Sequence, residues 1–250
     1  MNDKRTKSRL DTLLVERGLA ENRTKAQALI LSGVVFSGER RLDKPGVSID
    51  IEAAIEIRGK PHPWVSRGGL KLERALDHFA IDPSGLVCLD VGASSGGFTD
   101  VALSRGAHKI YAVDVGRGQL AWKLRQDDRV VVLEKTNARH LTGEHIPEPI
   151  DFIMCDASFI GLQTVLPTPL SFAAPDARLV ALIKPQFEVG KGRVGRGGIV
   201  RDPELHDEVR ERISAWLDGL PGWRVMGLTD SPIKGAEGNR EFLIAGHFNP

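Results

Sequence analysis

Apolar and polar positions follow one rhythm up to about residue 58 and another from Leu86 onward. In the first stretch, Leu10, Leu13 and Leu14 repeat at helical spacing and Gly18 stops the run, which predicts a short amphipathic helix. A second helix is predicted between Asn22 as N-cap and Gly33 as the residue past its C-terminus. Its inner face is Ala26, Leu29 and Ile30, with Arg23, Lys25 and Gln27 on the other side. V-V-F-S-G-E-R-R-L and then V-S-I-D-I-E-A-A-I-E-I-R alternate as strands, separated by the turn Lys44-Pro45-Gly46. G-K-P-H-P-W-V-S-R-G-G (59–69) reads as a linker, and L-K-L-E-R-A-L-D-H-F (70–79) as a helix.

From Leu86 the chain alternates regularly. Strands are predicted at 86–91, 110–114, 130–133, 150–155 and 177–183, with helices at 96–105, 118–125, 161–170 and 203–219. Two closing strands fall near 223–229 and 241–247. This order predicts an α/β class with a mainly parallel, doubly wound sheet and an antiparallel final pair. No apolar run approaches the ~18 residues of a membrane span. The start M-N-D-K-R-T-K-S-R has no apolar segment behind it, so no secretory leader is expected. Cys88 and Cys155, the two cysteines, both sit in apolar strand runs and read as core thiols of a cytoplasmic protein. The seven histidines show no metal-ligand spacing, so no metal is expected.

The chemistry gathers where strands end. L-D-V-G-A-S-S-G-G-F-T (89–99) is an apolar run closed by Asp90, then a glycine-rich turn opening into a helix. Asp114 closes the next apolar run, 24 positions on, where an acidic residue typically meets ribose hydroxyls. A dinucleotide site wants G-x-G-x-x-G; here the pattern is D-x-G-x-x-x-G-G, with Ser94 or Ser95 where the second glycine would be. A glycine turn beside a carboxylate suits a cofactor without phosphates and with a cationic amino-acid end. S-adenosylmethionine fits that description better than NAD. Ligands of such sheets lie outside the carboxyl ends of the strands. Those ends carry Asp90, Asp114, Asn137, Asp156 and Lys184.

Four ionisable residues stand out: Lys71, Asp156, Lys184 and Glu241. A ribose hydroxyl is a poor nucleophile and needs a base as its proton leaves, and methyl transfer otherwise needs alignment. A neutral Lys184 can serve as that base. A second cation and desolvation favour its neutral form, and the two carboxylates orient the lysines. Charge distribution points to a polyanionic partner. Residues 1–44 carry ten Lys/Arg against six Asp/Glu, although the whole chain is only +1. Residues 184–201 carry five Lys/Arg against Glu188 alone. Clusters of this kind are the footprint of a phosphate-backbone binder.

The motifs R-L-D-x-L-L (9–14), G-L-A-x-x-R (18–23), A-x-x-L-I-x-x-G-x-V (26–35) and K-P-G (44–46) resemble a small RNA-binding module first described in a ribosomal small-subunit protein. Where that module usually reads V-N-G, this chain has Phe36-Ser37-Gly38. Lys71, Asp156, Lys184 and Glu241, in this order, resemble the catalytic tetrad of the FtsJ-type ribose 2′-O-methyltransferases. With W-V-S-R-G-G-x-K-L (64–72), A-V-D-V-G-x-G-Q-L (112–120), D-x-S-F-I (156–160), I-K-P-Q-F-E (183–188) and the basic tract 190–202, the chain resembles the TlyA family over nearly its whole length. That resemblance implies a Rossmann-like, seven-stranded S-adenosylmethionine-dependent methyltransferase fold with a small N-terminal α+β RNA-binding domain. The expected boundaries are 1–59 for the RNA-binding domain, 60–69 for the linker and 70–250 for the methyltransferase domain.

It further implies 2′-O-methylation of an rRNA cytidine, with the large-subunit rRNA favoured over the small. The implied cofactor contacts are Asp90, Gly92, Ser94, Gly96, Gly97, Phe98, Asp114, Asn137 and Asp156. The implied RNA contacts are Arg5, Lys7, Arg9, Arg23, Lys25, Arg40, Arg41, Arg67, Lys191, Arg193 and Arg196. The partner is then ribosomal RNA or a ribosomal subunit, with no membrane; oligomeric state is left open. Some relatives carry a haemolysin label, so a cytolysin is one alternative, and a non-catalytic RNA-binding assembly factor is another. A small-molecule methyltransferase would leave residues 1–60 without a role.

Overall fold

In the computed structural model, which describes residues 7–58, 62–190, 192–235 and 238–250, the chain divides into two compact units, one up to Arg67 and one from Gly68. The first unit runs β1 (Lys7–Arg9), α1 (Leu10–Glu16), α2 (Arg23–Leu31), β2 (Val35–Ser37), β3 (Arg40–Arg41), β4 (Ser48–Asp50) and β5 (Glu56–Ile57). Asn22 caps α2 by accepting the Lys25 N–H at 2.9 Å, and Gly33 takes the left-handed conformation (φ +76°) past its end. Leu10, Leu14, Ala26, Ile30, Val34, Val35 and Leu42 form the core.

Two local differences from the sequence pattern have clear causes. Residues 7–9 are a strand paired antiparallel with β4, ahead of the first helix. The alternating stretch 47–58 is two strands in different sheets, because Asp50 turns the chain: its side chain accepts the Glu52 N–H at 2.9 Å and its carbonyl the Ala53 N–H at 3.0 Å.

The second unit opens with α3 (Gly68–Phe79), then β6 (Val87–Val91), α4 (Gly97–Ser104), β7 (Lys109–Asp114), α5 (Trp122–Arg125) and β8 (Val130–Glu134). A 3-10 turn (Ala138–His140), β9 (Ile150–Cys155), α6 (Leu162–Val165), α7 (Pro167–Leu170), β10 (Ala173–Ile183), α8 (Pro185–Glu188), α9 (Pro203–Asp218), β11 (Trp223–Asp230) and β12 (Phe242–Phe248) follow. These strands form one seven-stranded sheet in the order β11-β12-β10-β9-β6-β7-β8. The pairs among β6 to β10 are parallel, and β12 lies antiparallel to both β10 and β11. Buried Leu89, Ile153, Leu179, Ile183, Val209, Ile213 and Ile244 tie the sheet to the α6 and α9 side. Cys88 and Cys155 are free thiols inside this packing, and burial pushes the Cys155 thiol up to about 12.

Helix 118–125 shrinks to the four residues of α5, because the Glu134 carboxylate takes the N–H groups of Gly118 (2.8 Å) and Gln119 (3.1 Å), with Leu120 at 3.5 Å. Helix 161–170 breaks into α6 and α7 at Pro167, which has no N–H to continue the ladder. Among the described residues no helix is long and apolar enough to cross a membrane.

Candidate active site

Where β6 ends, the chain must turn sharply over the neighbouring strand. Gly92 sits at φ +83°, and a Cβ there would stand 2.9 Å from the Ala157 Cα, so only glycine lets the β6 and β9 ends approach. The Gly92 N–H donates to the Val113 carbonyl at 2.9 Å. Asp114, the last residue of β7, then ties two loops together. Its Oδ2 accepts the Ser94 N–H at 2.8 Å and its Oδ1 the Gly116 N–H at 2.7 Å. Ser94 holds a positive φ of 48° without being glycine.

Beside this turn lies a cleft of about 510 Å³, lined by Gly92, Ser94, Asp114, Val115, Gly116, Gln119, Thr136, Asn137, Asp156, Ser158 and Phe159 among others. Its size is that of a small-molecule site, and its place is the carboxyl ends of the parallel strands. Polar groups from four strand ends converge on mostly apolar walls, a combination that suits a nucleoside-bearing, phosphate-free ligand.

Of the residues assigned to the cofactor, Gly92, Ser94, Asp114, Asn137 and Asp156 line the cleft, whereas Asp90, Gly96, Gly97 and Phe98 do not. Asp90 is fully buried beneath the turn, where its Oδ2 accepts the Thr99 N–H (3.0 Å) and hydroxyl (2.7 Å). Its Oδ1 makes no hydrogen bond, and burial pushes the carboxyl up to about 7. Gly96 caps α4 at φ +92° against Leu120 and Leu124, and Gly97 and Phe98 are buried in the first turn of that helix. These four shape the turn from behind, because a strand-to-helix turn this tight faces its glycines into packing.

The four candidate catalytic residues do meet. Lys184, just past β10, places Nζ 2.6 Å from Asp156 Oδ1 and donates to Ser158 Oγ at 2.8 Å and the Asp156 carbonyl at 3.3 Å. Lys71, one turn into α3, reaches Asp156 Oδ2 at 3.3 Å and Glu241 Oε2 at 2.8 Å. The result is a chain of alternating charge, Lys184–Asp156–Lys71–Glu241, with formal charges that cancel. Both lysines and Glu241 are under a tenth exposed, and Asp156, at 19%, alone faces the cleft. Burying four charges is tolerated because each is paired. Among the described residues no group of three or more His, Cys, Asp or Glu is placed to hold a metal.

Three parts of the site have no role assigned from the sequence, although Ser158 and Phe159 fall within the motif D-x-S-F-I. Glu134 shapes the cleft rim by gathering N–H groups of the 118–120 loop and pairing with Arg125, and the first of these bonds holds its carboxyl at about 2. Ser158 and the 90% exposed Phe159 follow Asp156 directly; Phe159 has a positive φ of 66° and contacts the Phe187 ring. Motif spacing marks a strand end but not which neighbours of it turn outward.

The assigned RNA contacts fall into three groups. In the first unit, Arg9 and Arg23 are half-exposed but both anchored on the buried Asp11, Arg9 at 3.0 and 2.9 Å and Arg23 at 2.9 Å. Lys7, Lys25 and Arg40 are exposed, and Arg41 and Arg67 are partly buried. In the second unit, exposed Arg193 grips Glu208, and Arg196 is exposed on the same loop. Arg5 and Lys191 lie outside the described residues.

A seven-stranded sheet with this antiparallel edge and a charged tetrad at its cleft defines a Rossmann-like methyltransferase. Comparison with known proteins agrees: the FtsJ-like methyltransferase model matches residues 64–248, and the S4 domain model matches 8–55. The chain is 48% identical over 239 residues to "16S/23S rRNA (cytidine-2′-O)-methyltransferase TlyA" of Mycobacterium tuberculosis, covering 95% of this chain and 89% of the relative. It is 36% identical over 184 residues to "23S rRNA (cytidine-2′-O)-methyltransferase TlyA" of Campylobacter jejuni, covering 72% of this chain and 69% of that one. A solved structure from Streptococcus thermophilus that carries a hemolysin name superposes with a TM-score of 0.76 at 42% identity, covering 98% and 89% of the two chains. The chain belongs to the FtsJ-like methyltransferases, within the TlyA family.

Proposed function

We propose that this protein transfers a methyl group from S-adenosylmethionine to the ribose 2′-hydroxyl of a cytidine in ribosomal RNA, in the cytoplasm. The observation that carries the reading is the buried Lys184–Asp156–Lys71–Glu241 network abutting the cleft. The cofactor supplies an electrophilic methyl carbon on its sulfonium. Asp114 and the Gly92–Ser94 turn would hold its ribose and amino-acid ends, and Asn137 and Asp156, which line the same cleft, would meet its adenine and methyl-bearing ends. The proton of the attacking 2′-hydroxyl passes to Lys184 Nζ, once that amine has released to solvent the proton it carries in its resting pair with Asp156. Asp156 aims that amine through its 2.6 Å contact, and Lys71 and Glu241 keep Asp156 in place. Alignment of this kind supplies much of the rate of a displacement.

The cations assigned in the first unit and on the 192–201 loop hold the RNA backbone. Residues 1–59 serve as the RNA-binding domain, 60–69 as the linker and 70–250 as the catalytic domain. We place the cytidine in large-subunit rRNA, the target that the names of both relatives above share. Single-turnover transfer by Lys184→Ala, with cofactor binding checked by calorimetry, tests the assignment of the base. Loss of transfer with binding retained is expected, and a rate near that of the wild type overturns it.

A further inference from the structure

The tract from Gly192 to Arg201 carries Arg193, Arg196 and Arg201 and is mostly exposed. Gly197 and Gly198 are both left-handed at φ +77°, with open space where a Cβ would stand, so no neighbouring side chain packs there. The end of this tract is nevertheless fastened by buried side chains, Asn239 foremost. Asn239 is 1% exposed, and its carboxamide makes two bonds to the loop backbone: Oδ1 accepts the Val200 N–H at 2.9 Å, and Nδ2 donates to the Gly198 carbonyl at 2.8 Å. Only a side chain with both a donor and an acceptor at this reach satisfies both. The Val200 carbonyl is held in turn by His206 Nε2 at 3.0 Å.

Asn239 also belongs to the segment that carries the tetrad's last member. Its carbonyl accepts the Gly235 N–H at 2.9 Å, and a Cβ on Gly235 would stand 2.4 Å from Glu241 Oε1. Gly235 is therefore pressed against the carboxylate that pairs with Lys71. We propose that Asn239 is a positioning residue that latches the basic glycine loop to the Glu241 segment, so that the loop gripping the RNA backbone and the carboxylate orienting Lys71 are placed by one carboxamide. This rests on the ribose-methyltransferase reading and adds to it a mechanical link between substrate grip and catalytic alignment.

The test compares full-length wild type, Asn239→Asp and Asn239→Leu. Hydrogen exchange on the free protein reads the latch without substrate. The Val200 amide is expected to exchange about tenfold faster in Asn239→Leu, which loses both bonds, and less so in Asn239→Asp, which keeps the acceptor. With rRNA, kcat is expected to fall roughly 10- to 100-fold in Asn239→Leu, while cofactor affinity in calorimetry stays unchanged. Adding Arg193→Ala and Arg196→Ala separates grip from alignment. In that background Asn239→Asp is expected to leave the KM for rRNA unaltered while kcat still falls.

Unchanged Val200 exchange overturns the latch. Faster exchange with unchanged kcat overturns the link to catalysis. If Asn239→Leu does not fold, Asn239→Ala, which also loses both bonds, gives the same two readings. A wild type inactive on rRNA condemns the ribose reading instead, and the exchange arm still decides the latch.

Discussion

Exchanging Asp156 for Asn removes the carboxylate that both tetrad lysines share. At 2.6 and 3.3 Å, each contact represents about 5–6 kcal/mol of Coulomb attraction at an effective dielectric near 20, most of it offset by desolvation. The consequences for the two lysines differ. Lys71 keeps Glu241 at 2.8 Å, whereas Lys184 is left with Ser158 and a carbonyl, and its side chain is 8% exposed. Stranding one buried charge costs about 3–5 kcal/mol. For a unit of this size each kcal/mol lowers the melting temperature by about 2–4 °C, so the transition of the second unit should fall by about 10 °C.

The signature is the double variant. Asp156→Asn with Lys184→Met removes both charges, leaves Lys71–Glu241 intact and should recover more than half of the loss. Thermal unfolding followed by circular dichroism at pH 7 reads both variants. A shift under about 3 °C for Asp156→Asn, or no recovery in the double variant, refutes the charge-chain account.

Other expectations follow from the same geometry. Burial lifts the Asp90 carboxyl to about 7, so its contribution to stability is full below the ordinary carboxylate range and is lost as pH rises through about 7. Asp90→Asn keeps an acceptor for Thr99 and should unfold at higher temperature than wild type at pH 8 but not at pH 4; parallel profiles would contradict this. Gly92→Ala places a Cβ against the Ala157 backbone at a positive φ and should cost about 1–3 kcal/mol in urea unfolding, with weakened cofactor binding in calorimetry. Asp11→Asn loosens Arg9, Arg23 and Gln27, whose bonds, those of Arg9 first, hold the Asp11 carboxyl well below the usual range. If those arginines contact phosphate, the slope of log affinity for rRNA against log salt should fall by about 1–2; an unchanged slope places the contacts elsewhere.

Much of this architecture is legible in the sequence because strand ends and glycine turns are local. Asp156 and Lys184 close apolar runs, and the sheet brings those runs side by side, so two of the four charged residues can be placed from periodicity alone. Lys71 comes from the helix before the sheet and Glu241 from the residue just before β12, the sheet's antiparallel strand, and the fold brings both to Asp156. The misread elements have three causes: a partner distant in sequence, a residue that cannot donate, and the local turn at Asp50. Glu134 captures the N–H groups that would have begun a helix at 118, and Pro167 divides 161–170. Asp90 shows the limit at the site: an acidic residue beside a glycine turn reads as a ligand, yet its side chain points back to Thr99.

Ribose methylation by this protein is tested most directly by mass-spectrometric mapping of rRNA incubated with it and S-adenosylmethionine labelled in the methyl group. Label is expected on the 2′-oxygen of a cytidine in large-subunit rRNA, and none when Lys184→Ala replaces the wild type. Label on a base, or no label on rRNA from either subunit, would contradict that expectation.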